Sequence, residues 1–319
     1  MLTPTIVTLT MNPALDIATG ADVVRPTDKI RCAGSTYDPG GGGINVARTA
    51  QELGAPVSAI FPAGGHTGNL VTNLVHDARV PLRRISIAET TRESFTINER
   101  TTGMQYRFVL PGPRLTLDEQ RQCLDELRLE AASAEFVVAS GSLPPGVPPD
   151  WYQRVADICR EVGTLLVLDT SGGGLTHVTN GVFLLKPSIR ELRECSGSEL
   201  ATEAEQLAAA RDLVDRGVAQ AVVVSLGADG ALLATAEHSQ RFSAIPVHAV
   251  SGVGAGDAMV AAIVVAMSRG WTLTEAVRFG IACGTASLLT PGTGTCSRED
   301  VERFFELVGE AEDVDVAYT

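Results

Sequence analysis

The chain has neither the cysteine pairing of a disulfide scaffold nor that of a zinc ribbon. Its six cysteines, Cys32, Cys123, Cys159, Cys195, Cys283 and Cys296, include no C-x-x-C pair, and most sit in apolar or helical patterns that read as core. Reduced thiols in a cytoplasm are the expectation. Long apolar runs are also missing: the longest, Ala258 to Met267, is about half of what a bilayer requires. The start, Met1 to Thr10, has no basic leader and reads as a strand, so neither export nor membrane insertion is expected. Positive charge is scarce, with a formal net charge of −13 and a sequence pI near 4.9. That excludes a broad footprint for nucleic acid or an anionic membrane, and any phosphate site must be local. The five histidines, His66, His76, His177, His238 and His248, show no metal-ligand spacing. There is no G-x-x-x-x-G-K-[ST] loop, H-E-x-x-H, G-x-S-x-G elbow, or H-R-D and D-F-G pair, which sets aside P-loop, zincin, α/β-hydrolase and protein-kinase chemistry.

What is present is alternation. Short β-branched runs at Ile6 to Thr10, Ser58 to Phe61, Phe136 to Ala139, Leu165 to Asp169, Val182 to Leu185 and Ala221 to Ser225 read as strands, most of them continuously apolar. Helical patterns such as Ile44 to Leu53, Trp151 to Val162 and Ala204 to Arg216 separate them. This predicts a largely parallel sheet covered on both faces, with ligands at the carboxyl ends of the strands. With 319 residues, 45% of them hydrophobic, one α/β domain over 1–319 with an inserted subdomain is favoured. The insertion is read from 15–37 and 92–110, where polar and apolar residues alternate around expected turns at Gly20 and Thr102-Gly103. These predict antiparallel strands of a small separate sheet, able to close as a lid and to pair with a second copy. No repeat or long linker is evident, and the acidic tail after Gly309 is expected to fray.

Three glycine-bearing stretches carry the chemistry. Ser251-Gly252-Val253-Gly254-Ala255-Gly256-Asp257 leads into an apolar helix. Bare amides and the positive end of that helix would receive an anion, and Asp257 would stand where a hydroxyl loses its proton. The alternative is a turn with Asp257 as an ordinary N-cap. The spacing Gly252-x-Gly254-x-Gly256 has the look of a dinucleotide fingerprint but lies near the C-terminus, outside an opening βαβ unit. Gly40 to Gly43 run through Ile44 and Asn45 into a second helix, inviting a polyhydroxyl ligand close to the backbone with Asn45 as donor and acceptor. Ser225-Leu226-Gly227-Ala228-Asp229-Gly230 follows a strand and could line a ribose and phosphates, or be a plain β-turn. Asp16 follows the first strand, where it could accept from sugar hydroxyls. Lys29, Arg31 and Arg92 gather positive charge in the expected lid, as a substrate phosphate would require. Lys186-Pro187-Ser188-Ile189-Arg190-Glu191 leads from a strand into a helix, with a capping box and organisation of magnesium by Glu191 as competing readings.

Pro39-Gly40-Gly41-Gly42-Gly43-Ile44-Asn45-Val46-Ala47-Arg48 together with Val253-Gly254-Ala255-Gly256-Asp257 resemble the two signatures of the PfkB branch of the ribokinase-like carbohydrate kinases, and the likeness runs from Ile6 to about Phe305. Thr10-x-Asn12-Pro13-Ala14-x-Asp16 resembles the phosphosugar kinases of that branch rather than ribokinase or adenosine kinase, and Phe61-Pro62-Ala63-Gly64-Gly65, Gln105-Tyr106-Arg107-Phe108 and Ser140-Gly141-Ser142-Leu143-Pro144-Pro145-Gly146-Val147 are similar to its minor-isozyme 6-phosphofructokinases. The resemblance implies a three-layer α/β/α fold with a mostly parallel central sheet and a small β-sheet lid, acting as a homodimer through the lid. It implies phosphorylation of the C1 hydroxyl of fructose 6-phosphate by ATP with Mg2+ and, in the family, K+. Asp257 would be the base and Gly254, Ala255 and Gly256 the anion hole. Asp16, Gly41, Gly42, Gly43, Asn45, Arg92 and Ser142 would hold the sugar phosphate, with Lys29 nearby. Lys186, Ser188, Ser225, Gly227, Gly230, Ile281 and Thr285 would hold ATP, Glu191 would hold magnesium through water, and potassium would sit near Ser251, Val253, Ser287, Thr290, Gly292 and Gly294. Four positions depart from common relatives. Ser188 replaces the asparagine of N-x-x-E, Thr290 and Gly294 stand where asparagine and arginine are frequent, and Gly42 stands where 1-phosphofructokinases and tagatose-6-phosphate kinases usually carry lysine. Those two activities, and a non-catalytic sugar-phosphate sensor, are the alternatives.

Overall fold

In the computed structural model, which describes residues 5–290 and 292–314, the chain runs β1 (Ile6–Leu9), β2 (Ala14–Ala21), β3 (Thr36–Gly40), α1 (Gly42–Glu52), β4 (Val57–Ala63), α2 (Gly65–Asp77), β5 (Leu82–Ser86), β6 (Arg92–Glu99), β7 (Gln105–Val109), α3 (Leu117–Ala131), β8 (Phe136–Ser140), α4 (Trp151–Val162), β9 (Leu165–Asp169), α5 (Gly173–Thr176), β10 (Val182–Leu185), α6 (Ile189–Ser196), α7 (Glu203–Asp215), β11 (Ala219–Ser225), β12 (Ala231–Thr235), β13 (Ser239–Phe242), α8 (Ala255–Ser268), α9 (Leu273–Ser287), α10 (Arg298–Phe305) and β14 (Glu312–Asp313). The large sheet has the order β14-β13-β12-β11-β10-β9-β8-β1-β4-β5. It is parallel from β11 to β5 and antiparallel through β12, β13 and β14.

Successive side chains of a strand point to opposite faces, and each inner strand here is apolar on both. Phe136 and Val138 of β8 join a core with α1, α8 and α9, whereas Val137 and Ala139 join a second core with α3, α4 and α7. β11 divides in the same way, Val223 to one side and Val222 and Val224 to the other. Two cores on either side of one sheet make three layers. α8 is buried along nearly its whole length, Ala258 to Ala266, which is why its sequence shows an apolar run rather than a stripe.

The inserted sheet has the order β3-β2-β6-β7 and is mixed rather than antiparallel. β2 lies parallel to β6 over eight residue pairs, while β3 and β7 flank them antiparallel. The reason is connectivity, since β6 enters only after a long excursion through α1, β4, α2 and β5 and arrives running the same way as β2. Gly20 does not turn the chain but lies inside β2, and the excursion between β2 and β3 follows Ala21. The Thr102-Gly103 turn forms as expected, with Gly103 at φ 72°. The tail is not wholly frayed: Glu312 and Asp313 pair with Arg241 and Gln240, and 315–319 lie outside the described residues.

Candidate active site

The strands β1, β8, β9, β10 and β11 all end at one rim of the large sheet, and polar side chains stand there in a row: Asn12 just past β1, Ser140 ending β8, Asp169 ending β9, Lys186 after β10 and Ser225 ending β11. Helix starts face this rim as well, those of α1, α6 and α8 among them. α3, α6, α7 and α9 each begin with a Ser/Thr-x-x-Glu box that satisfies the first amides. α1 and α8 begin instead on Gly41 and Gly254 with no side-chain cap, leaving donors and partial positive charge for a ligand.

Gly254 has φ 81°, the left-handed conformation that glycine adopts without strain. Apart from its own backbone and adjacent residues, no protein atom lies within 4 Å of where a Cβ on Gly252 or Gly254 would stand, so the loop opens into space. Asp257 is therefore not the N-cap but the third residue of α8, in its first turn. Its Oδ2 accepts from Asn45 Nδ2 at 2.9 Å and its Oδ1 from Ser140 Oγ at 3.3 Å. Burial, reinforced by the nearby Asp169 carboxylate, pushes its pKa up to about 7 against the opposing effects of Asn45, Lys186 and Ser140. No ion pair involves it among the described residues. A carboxyl group whose pKa is raised toward neutrality and that is in no direct ion pair is suited to exchange a proton with a ligand.

Lys186, 3% exposed, reaches toward the start of α8 and pairs with Asp169 Oδ1 at 3.2 Å. Burial raises the Asp169 pKa. Beyond it, Ser188 and Glu191 form the capping box: Ser188 N and Oγ both donate to Glu191 Oε2 at 2.8 Å, and Ser188 Oγ accepts from Glu191 N at 3.3 Å. Ser225 bridges to Ser188. Gly227 is exposed beside open space, but Gly230 is buried at φ 96°, and a Cβ on it would run into the Phe242 carbonyl oxygen and Ala244 N, a packing requirement in its own right. Ile281 and Thr285 are buried on α9.

On the other side of Asp257, Asp16 is pushed to about 6 by burial, against the pull of Arg92, Arg107 and Arg48. Arg92 donates to the carbonyls of Asn12 (3.0 Å) and Leu110 (3.3 Å). Asn12 Nδ2 donates to Ser142 Oγ at 3.2 Å. Three buried polar atoms of these side chains, Asn12 Oδ1, Asn45 Oδ1 and Arg92 Nε, have no protein partner. Lys29 is placed elsewhere, exposed in the segment between β2 and β3 among Asp22, Arg25, Asp28 and Arg31. Of the residues expected near potassium, Ser251 Oγ donates to the Gly292 carbonyl (3.2 Å) and accepts from Val253 N (3.3 Å), and Thr290 Oγ1 donates to the carbonyls of Ser287 (2.8 Å) and Gly294 (2.9 Å). Among the described residues no group of three His, Cys, Asp or Glu side chains could hold a metal ion.

Sequence reasoning did not single out Ser140, Asp169, Arg48 or Asp38. For the first two the signal was available, since each is a polar residue closing an apolar strand at the rim where ligands gather. Arg48 ties the lid to the 292–294 loop, near Asp38 (3.7 Å) and donating to the Thr293 carbonyl (3.0 Å), contacts with no local sequence signature.

The pfkB family carbohydrate kinase profile matches residues 9–300, and the chain belongs to that family. It is 68% identical over 311 residues to the ATP-dependent 6-phosphofructokinase isozyme 2 of Mycobacterium tuberculosis, covering 98% of this chain and 92% of that one. The crystal structure of phosphofructokinase-2 from Escherichia coli in complex with potassium matches with a TM-score of 0.91 at 38% identity, over 95% of this chain and 99% of that chain. Ribokinase of Arabidopsis thaliana, complexed with ribose and ATP, matches at 0.76 with 21% identity over 96% and 99%. That likeness bears on the fold alone. The fold is ribokinase-like α/β, as the motifs implied.

Proposed function

We propose that this chain transfers the γ-phosphoryl group of ATP to the C1 hydroxyl of fructose 6-phosphate, giving ADP and fructose 1,6-bisphosphate. One observation carries the reading: the Asp257 carboxyl group, with its pKa pushed up to about 7, stands in the first turn of an uncapped helix and accepts from Asn45, whose own Oδ1 is buried without a protein partner. The 68% identity to a 6-phosphofructokinase supports fructose 6-phosphate over fructose 1-phosphate or tagatose 6-phosphate, and the intact Gly256-Asp257 pair supports catalysis over sensing.

Asp257 takes the hydroxyl proton, and the amides of Gly254, Ala255 and Gly256 receive the charge that develops on the transferred group. Asn45 orients Asp257 through Nδ2 and keeps Oδ1 for the sugar. Asp16, Arg92, Ser142 and the backbone at Gly41, Gly42 and Gly43 position the sugar phosphate. Lys186, Ser188, Ser225, Gly227 and Gly230 hold ATP, with Ile281 and Thr285 behind. Magnesium bound with the nucleotide supplies neutralisation of phosphate charge. Glu191 would hold it through a water, because Oε2 is already occupied by Ser188. The hydroxyls and carbonyls at Ser251, Val253, Ser287, Thr290, Gly292 and Gly294 are the oxygen ligands that suit potassium. A coupled assay of ADP release across the three sugar phosphates tests the reading. The expected result is a kcat/KM for fructose 6-phosphate at least about tenfold above the others. A preference for another sugar, or binding without ADP formation, overturns it.

The unit that works is a cytoplasmic homodimer joined through the small sheet, with residues 1–319 forming one catalytic domain. Register places Tyr37, Ile17, Phe95 and Phe108 in one row across all four strands, while Asp38, Asp16 and Ser94 form the adjacent row, whose side chains alternate to the opposite face. Tyr37 is 49% exposed and Phe108 52%, an apolar row of the kind that a partner covers. Phe108→Glu should convert the dimer to monomer in light scattering and raise the KM for fructose 6-phosphate. A dimer unchanged by that substitution rules out this interface.

A further inference from the structure

Both oxygens of Asp257 are held, and one holder, Ser140, lies outside the sugar and nucleotide sets. Ser140 is 1% exposed, and the backbone beyond it is clamped. The Gly141 carbonyl accepts from the Tyr152 hydroxyl (2.8 Å) and from Thr170 Oγ1 (3.0 Å), and Gly141 N donates to the Asp169 carbonyl (2.9 Å). The hydroxyl that donates to Asp257 Oδ1 is thus carried on a fixed strand end. Facing it is Gly42, the first residue of α1. A Cβ there would fall 2.1 Å from Ser140 Oγ, 2.9 Å from Ser140 C and 3.0 Å from Asp257 Oδ1. A helix start would favour alanine over glycine, so the missing side chain is explained by what stands in its place.

We infer that Ser140 is a positioning residue that fixes the orientation and basicity of the Asp257 carboxylate, and that residue 42 is a glycine because the Ser140 hydroxyl occupies the space of its side chain. The inference rests on the reading of Asp257 as the base. The groups facing Asp257 are Asn45 from α1, Ser140 from β8, Asp169 from β9 and Lys186 after β10. Only the last two are charged, and a change at residue 140 leaves both in place. Loss of a donor to the anion raises its proton affinity.

Ser140→Ala should move the acidic limb of kcat/KM for the sugar up by about one pH unit, with the KM for ATP within about twofold of the parent. Ser140→Cys, close in size and a weaker donor, should shift the limb the same way by less, and it serves if the alanine variant does not fold. Gly42→Ala should cost several-fold less in kcat/KM when made together with Ser140→Ala than alone, because the shortest contact is then gone. A limb unmoved by either residue-140 variant, or an equal cost of Gly42→Ala in both backgrounds, overturns the inference. Asp257→Asn measured in parallel separates the two failures: retained turnover sinks the base itself, whereas lost turnover with an unmoved limb sinks only the role of Ser140.

Discussion

Asp257→Asn should lower turnover by roughly 10²- to 10⁴-fold while nucleotide affinity, measured by titration in the absence of sugar, stays close to that of the parent protein. The asparagine keeps the size of the side chain and one acceptor for Asn45 but cannot take a proton. The same change should also stabilise the empty protein at alkaline pH. The folded pKa of Asp257 is about 7 against an ordinary 3.8, so between those values the folded state holds a proton that the unfolded state has released. Stability from this group is full below the lower value and is lost as pH rises through the upper one. At pH 8 the parent carries a desolvated charge that the variant does not. The variant should be more stable there by on the order of 1–2 kcal/mol, after allowing for water reaching the cleft, and the gap should close toward pH 4. An inactive variant that melts higher at pH 8 and not at pH 4 satisfies both expectations. Retained turnover, or a gap that widens on acidification, contradicts the role assigned to Asp257.

How far this site was legible in the sequence follows from which forces are local. Strand ends, helix starts and glycine runs are local, and they brought Asn45, Asp257, Lys186 and the 251–256 loop to one rim as the motifs implied. The direction of β2 relative to β6 is not local, because it depends on where a connection of some seventy residues returns the chain. Period-two alternation in 92–110 reads identically for parallel and antiparallel neighbours. The capping box at Ser188 and Glu191 was legible, and its formation means that Glu191 is not simply an available magnesium ligand. Gly42 shows the limit most clearly. From sequence it is one of four glycines inviting a ligand, whereas in the structure its absent side chain is accounted for by Ser140, a residue 98 positions away.

Lys186→Met should be the most destabilising single change in the site, and its cost should depend on pH. Lys186 and Asp169 are an ion pair with side chains 4% and 13% exposed, and removing one partner of such a pair leaves the other desolvated without compensation, about 3–5 kcal/mol. Asp169 already has its pKa raised by burial, with Lys186 opposing that rise, so in the variant it should climb further and stay protonated in the folded state. Protons bound in the folded state and released on unfolding make stability fall as pH increases. The deficit relative to the parent should therefore approach the full figure at pH 8 and shrink below pH 5, read as the shift in urea midpoint across pH. Lys186 also holds the Asp257 pKa down, so the residual activity should show its acidic limb moved upward. The chain has only one other lysine, Lys29, and carries the rest of its side-chain positive charge on arginine. A compact ammonium at this position agrees with a space bounded by Asp169 and the first turn of α8, where a Cβ on Gly256 would come within 3.6 Å of Nζ. A deficit independent of pH would mean that Lys186 acts only by filling volume, and the electrostatic account of this corner of the site would fall with it.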